Sequence, residues 1–192
     1  MTQKTKEGAR EESDLPIQRA DANAGTTLES VVARCAEELR TGGPSAALAY
    51  LNGRTRFRYT GMYQVDPPML RNVHLFDREN PDLNVSGTVA PLDETYCGIS
   101  YRTNEAFSTP DALRDARLRS HPARESVLSY DGVPIRMQNG LPSGSLCHYD
   151  IRPRLLSSAE QHILEAVSPM FARWLAENRA WPASRHNAAQ FE

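Results

Sequence analysis

Residues 91–160 read PLDETYCGISYRTNEAFSTPDALRDARLRSHPARESVLSYDGVPIRMQNGLPSGSLCHYDIRPRLLSSAE. The stretch predicts a short helix, a strand, a polar loop, a two-stranded hairpin and the start of a capped helix. Residues 94–103 form the short helix, with Asp93 as its N-cap. Residues 107–109 are a short strand, and Pro110 and Asp111 begin a turn. Residues 127–137 and 143–151 are β-rich and flank a turn holding Asn139 and Gly140, which suits a hairpin with more than two loop residues. Ser157 and Glu160 have capping-box spacing, and Ile163, Leu164, Val167, Phe171, Trp174 and Leu175 then make one apolar stripe. Pro169 inside that stripe predicts a kink or local break.

Upstream, Thr26 and Glu29 make a second capping box. Leu28, Val31, Val32, Cys35 and Leu39 follow on one helical face until Gly42, Gly43 and Pro44 stop it, with a further turn or two over 46–51. Phe57, Tyr59, Tyr63 and Val65 alternate with Arg56, Arg58, Thr60 and Gln64, as a two-faced strand does. Pro67 and Pro68 turn the chain into a partner strand over 69–76. A polar loop follows, and Val89 and Ala90 close it as a short strand. The fold class is therefore α+β, with a mostly antiparallel sheet and helices at both ends.

The 192 residues suffice for one domain with a real core and are too few for two ordinary ones. Residues 1–25 are polar and mixed in charge, and residues 181–192 are similar, so both read as disordered tails around a domain at 26–180. The net charge of −2 makes no general electrostatic case for nucleic acid or anionic membrane. Arg114, Arg117, Arg119 and Arg124 cluster, but Asp115 and Glu125 interrupt them and no aromatics interleave. Cys35, Cys97 and Cys147 are too far apart for a C-x-x-C pair, which favours reduced thiols in a cytoplasm. No apolar run approaches the ~20 residues of a membrane span. The histidines lack metal-ligand spacing, and no G-x-S-x-G elbow supports a serine nucleophile.

Three segments resemble the GAF family over roughly residues 26–180. The first is Asp93-Glu94-Thr95-Tyr96-Cys97, then Arg102-Thr103-Asn104-Glu105-Ala106-Phe107 and Pro110-Asp111-Ala112. Asn104 stands where the family usually has glycine, and Ala106 where proline is frequent. The second is Gly132-Val133-Pro134-Ile135. The third is Gly144-Ser145-Leu146-Cys147, then Asp150, Pro153, Arg154 and Leu156-Ser157. The resemblance implies a central antiparallel sheet, with the first and last helices on one face. It puts a pocket on the other face, under the short helix and the loops over 77–126. It also implies a stand-alone bacterial sensor of a small molecule, signalling through a partner or through a homodimer built on the terminal helices. Nothing in the sequence reads as an output domain or identifies a cofactor.

The expected ligand-binding residues are Tyr59, Phe76, Tyr96, Cys97, Asp111, His121 and Tyr130. Tyrosine offers an apolar wall with a polar tip, which suits a small aromatic or heterocyclic ligand. About half of the aromatic set can instead be ordinary core. Arg124 and Ser126 sit in the same roof loop and read best as solvated. Cys97 at a helix start is placed for a lowered pKa, and Cys97-Gly98 is similar to a motif of free methionine sulfoxide reductases, the enzymatic GAF branch. The loop that should hold their further cysteines, ALRDARLRSHPARES, contains none. Ala123 stands at the expected catalytic-thiol position, and Tyr130, Cys147 and Tyr149 replace the expected acids. Cys147-His148, similar to a bilin-attachment step, lies in a strand that points the two side chains to opposite faces. The expectation is therefore a non-catalytic domain. A thiol enzyme or a dimerisation module without ligand are the alternatives.

Overall fold

The computed structural model describes residues 27–83, 86–155 and 157–178. The two expected tails, the expected cap Thr26 and Leu156 fall outside them.

Helix α1 spans Leu28–Gly53. Thr27, one residue after the expected cap, has an extended backbone, and its Oγ1 accepts from Ser30 N at 3.2 Å. The expected stop appears as a kink. Gly43 adopts φ +68°, a left-handed value that favours glycine, and Pro44 opens the second helical run. Val31, Cys35, Leu48 and Leu51 are buried along α1.

The strands are β1 (Tyr59–Asp66), β2 (Met69–Asp77), β3 (Val89–Pro91), β4 (Phe107–Thr109), β5 (Ser129–Arg136) and β6 (Pro142–Asp150). They form one sheet in the order β3-β2-β1-β6-β5-β4, antiparallel throughout. The Pro67-Pro68 bond that turns β1 into β2 is cis. Helix α3 (Ser158–Asn178) closes the chain, with Glu160 N donating to Ser157 Oγ at 3.4 Å. It continues unbroken through Pro169, contrary to a break there. Packing of its buried stripe outweighs the one backbone donor that proline removes.

Helices α1 and α3 share one face of the sheet. Their stripes meet Met62, Val73, Val133, Ile135 and Leu146 in one apolar cluster. Arg54, at the end of α1, clamps Glu160, in the first turn of α3, by two bonds of 2.8 and 3.2 Å. Buried Asp150 accepts from Arg58 N at 3.0 Å and from Arg154 Nε at 2.6 Å, tying β6 to the chain entering β1.

The other face carries α2 (Tyr96–Thr103) and a second cluster, which includes Leu70, Tyr96, Cys97, Phe107, Tyr130 and Cys147. Thr95, not Asp93, caps α2: its backbone is extended and its Oγ1 accepts from Gly98 N at 3.2 Å. Asp93 lies one turn earlier, in a 3-10 turn over Leu92–Glu94, and pairs with Arg102. Asn104 ends α2 at φ +55°, so it fills the left-handed position that glycine usually takes. Two further 3-10 turns, Ala116–Leu118 and Pro122–Glu125, lead the chain from β4 into β5. The architecture is α+β, with a central antiparallel sheet flanked by helices.

Candidate functional site

A cavity of about 370 Å³ lies on the α2 side of the sheet. Its floor is strand side chains: Tyr63, Leu70, Asn72, Tyr130, Cys147 and Tyr149. The start of α2 supplies Thr95, Tyr96 and Cys97, the loop before β5 supplies Ala123, Ser126 and Val127, and Thr88 to Ala90 line the remaining edge.

Local rules place these groups. Gly98 lets α2 sit close to the preceding turn, since a Cβ there would lie 2.2 Å from the Leu92 carbonyl oxygen. The Tyr130 side chain lies back over Gly132, where a Cβ would come within 2.2 Å of its hydroxyl. That posture brings the Tyr130 hydroxyl 3.4 Å from Cys97 Sγ and 3.1 Å from Ser145 Oγ. The hydroxyls of Tyr63 and Tyr149 meet at 3.1 Å across β1 and β6. Asn72 is 3% exposed, and its Oδ1 has no hydrogen-bond partner. An unpaired buried polar atom is costly, so it marks a position where a ligand group would be favoured.

The cavity chemistry is phenol and thiol. The Cys97 pKa is lowered, first by the hydrogen bond from Cys147, then by those from Tyr130 and Ser145, against the effect of burial. Burial pushes the Cys147 thiol up, and does the same to the Tyr63 and Tyr130 phenols. Tyr96 is raised to about 12, mainly by burial. These phenols stay protonated at neutral pH and act as hydrogen-bonding walls. Among the described residues, no group of three or more His, Cys, Asp or Glu is placed to hold a metal ion.

Of the residues expected from sequence, Tyr96, Cys97 and Tyr130 line this cavity together. Tyr59 stacks on Tyr149 at 4.7 Å between ring centroids but stands outside the lining. Phe76 is on the opposite face, against the helical cluster. The cause is a bulge: Met62 pairs with His74 and Tyr63 with Asn72, so Val73 is an extra residue and alternation flips along β2. Asp111 accepts from Leu113 N at 3.0 Å and lines a separate groove with Pro110 and Arg154. His121 caps the turn at Pro122–Glu125 through Nδ1, and its ring backs that of Tyr96 at 4.7 Å. Asn72 was not foreseen. Its parity with Leu70, two residues earlier on the same strand, is the signal that places it at the cavity. Cys147 and His148 do diverge: Cys147 faces the cavity, and His148 Nδ1 lies 2.7 Å from Thr60 Oγ1 on the helix side.

No protein-family model matches the sequence, and no curated protein matches it. Solved structures match in fold. The GAF domain of an Acinetobacter phosphoenolpyruvate-protein phosphotransferase is 17% identical, with a TM-score of 0.65 over 80% of this chain and 95% of that one. A free methionine-R-sulfoxide reductase from Neisseria meningitidis, solved with its substrate, is 14% identical, with a TM-score of 0.62 over 79% of this chain and 90% of that one. A phycocyanobilin-bound GAF domain from a cyanobacterial phytochrome is 16% identical, with a TM-score of 0.61 over 80% and 96%. The chain has a GAF-like fold, at low sequence identity to GAF domains and to a free methionine-R-sulfoxide reductase alike.

Proposed function

We propose that the protein is a small-molecule-binding regulatory domain, whose cavity occupancy is passed to a partner or to a second copy through α1 and α3. The observation that carries this is the cavity itself. It lies opposite the terminal helices, four tyrosines line it among apolar and small polar groups, and a buried amide oxygen in it has no partner. Apolar walls with a few convergent polar groups are what small-ligand sites have in common. Similar structures include a methionine sulfoxide reductase with its substrate and a bilin-bound domain, so this fold accommodates small molecules elsewhere. A ligand would act by binding two arrangements of the loops or dimer unequally. Native mass spectrometry of the protein purified from its own cells tests the reading. A co-purified molecule, released on denaturation, is the expected result. Persistently ligand-free protein, unchanged after exposure to lysate small molecules, would refute it.

A thiol-reductase reading is favoured by one observation, the lowered pKa of Cys97 beside Cys147. Against it, Ala123 in the cavity wall stands where the reductase resemblance expects the catalytic thiol. Incubation with free methionine sulfoxide and a thiol reductant separates the two. The regulatory reading expects no turnover above that of Cys97→Ser, whereas turnover that the substitution abolishes would establish the enzyme.

A further inference from the structure

The charge of the cavity wall restricts what can enter it. Among the described residues lining it, Glu94 is the sole charged side chain, and no lysine, arginine or histidine joins it. Of the guanidiniums on neighbouring elements, Arg102 pairs with Asp93, and Arg124 Nη2 donates to the Leu113 carbonyl at 2.5 Å while its buried Nε has no partner. The first turn of α2 donates its Gly98 N–H to Thr95. A buried anion would find no cationic side chain in the lining to pair with, and removing it from water would be unfavourable.

The groups that are present favour the opposite sign. Glu94 is exposed at the rim and offers a carboxylate. Asn72 offers its unpartnered amide oxygen deeper in, an acceptor for an N–H or O–H of the ligand. Tyr63, Tyr96, Tyr130 and Tyr149 line the cavity, and aromatic rings attract cations and other flat rings.

Building on the binding reading above, we propose that the cavity selects a neutral or cationic aromatic molecule and rejects anionic ones. Asn72 anchors a polar edge of the ring, and Glu94 receives a cationic substituent at the mouth. Selection by charge at the mouth and by shape inside distinguishes this site from a phosphate or carboxylate pocket.

Three indoles that differ in charge test this: tryptamine, 3-methylindole and indole-3-acetate, titrated calorimetrically into the full chain at low and moderate salt. Tryptamine and 3-methylindole are expected to bind and to compete. Indole-3-acetate should bind at least about tenfold more weakly. Glu94→Gln should bring tryptamine to the level of 3-methylindole while leaving 3-methylindole unchanged. Indole-3-acetate binding as well as 3-methylindole would overturn the proposal, as would a tryptamine preference that survives Glu94→Gln. The molecule recovered by native mass spectrometry separates the two levels of the account. An acidic molecule overturns the charge selection alone, whereas failure of every indole together with ligand-free native protein removes the binding reading as well.

Discussion

Asp131 carries the sharpest test of the packing between the sheet and α3. Its side chain is 2% exposed on β5, and Gln161 of α3 donates to it at 3.3 Å. Burial, with smaller contributions from Glu165 and Glu160, raises its pKa from 3.8 to about 7, and the Gln161 bond only partly offsets this. A carboxyl with a raised folded-state pKa favours folding while protonated. That contribution is full below the unfolded value and is lost as pH rises through the folded value. Linkage between these two values puts the loss at about 2 kcal/mol at pH 5 and about 4 kcal/mol at pH 8.5. His148 works in the other direction: burial lowers it to about 3, so it penalises folding as pH falls below 6.5. Comparing Asp131→Asn with wild type at each pH cancels the histidine. Urea unfolding followed by tryptophan fluorescence should show the variant gaining about 2–3 kcal/mol relative to wild type between pH 5 and pH 8.5. A difference that does not change with pH would show that Asp131 ionises normally and that the helix face is wetter than described.

Asn72→Leu should raise the unfolding free energy of the ligand-free protein by about 1–2 kcal/mol, since it removes a buried unpaired amide oxygen, and should weaken indole binding. A loss of stability in urea unfolding would contradict this. Gly98→Ala should cost about 1–3 kcal/mol, because its methyl would press on the Leu92 carbonyl, and should displace the cavity wall at Cys97. Thermal unfolding alongside indole titration checks both parts. Glu160→Gln should cost about 3 kcal/mol by leaving Arg54, 11% exposed, without its carboxylate, and an unchanged urea midpoint would rule out a stabilising clamp.

Local chemistry made much of the fold readable. Gly43-Pro44, Pro67-Pro68 and Ser157 mark joints whose backbone demands are narrow, and the periodicity of Ile163, Leu164, Val167 and Phe171 marks a buried helix face. Asp93 and Thr95 are both capping residue types, and only the extended backbone and side-chain bond at Thr95 choose it as the cap of α2. The site was less legible. Tyr96, Cys97 and Tyr130 follow from their elements, but facing depends on parity, and the bulge at Val73 reverses parity without any marker in composition. Phe76 went to the helix face for that reason, while Asn72, ahead of the bulge, keeps the parity of Leu70 and faces the cavity. Asp111 and His121 looked like free roof residues because their backbone partners, Leu113 N and Ala123 N, are set by turns that spacing alone does not define.

The most direct test of the central claim compares native mass spectra of wild type and Ala123→Phe, both purified from native cells. Ala123 is buried in the cavity wall, so the larger ring fills space that a ligand would occupy. The account predicts a small-molecule adduct on wild type and none on the variant, with matching circular dichroism. Wild type without an adduct, or a folded variant that keeps it, would contradict the claim that this cavity is the binding site.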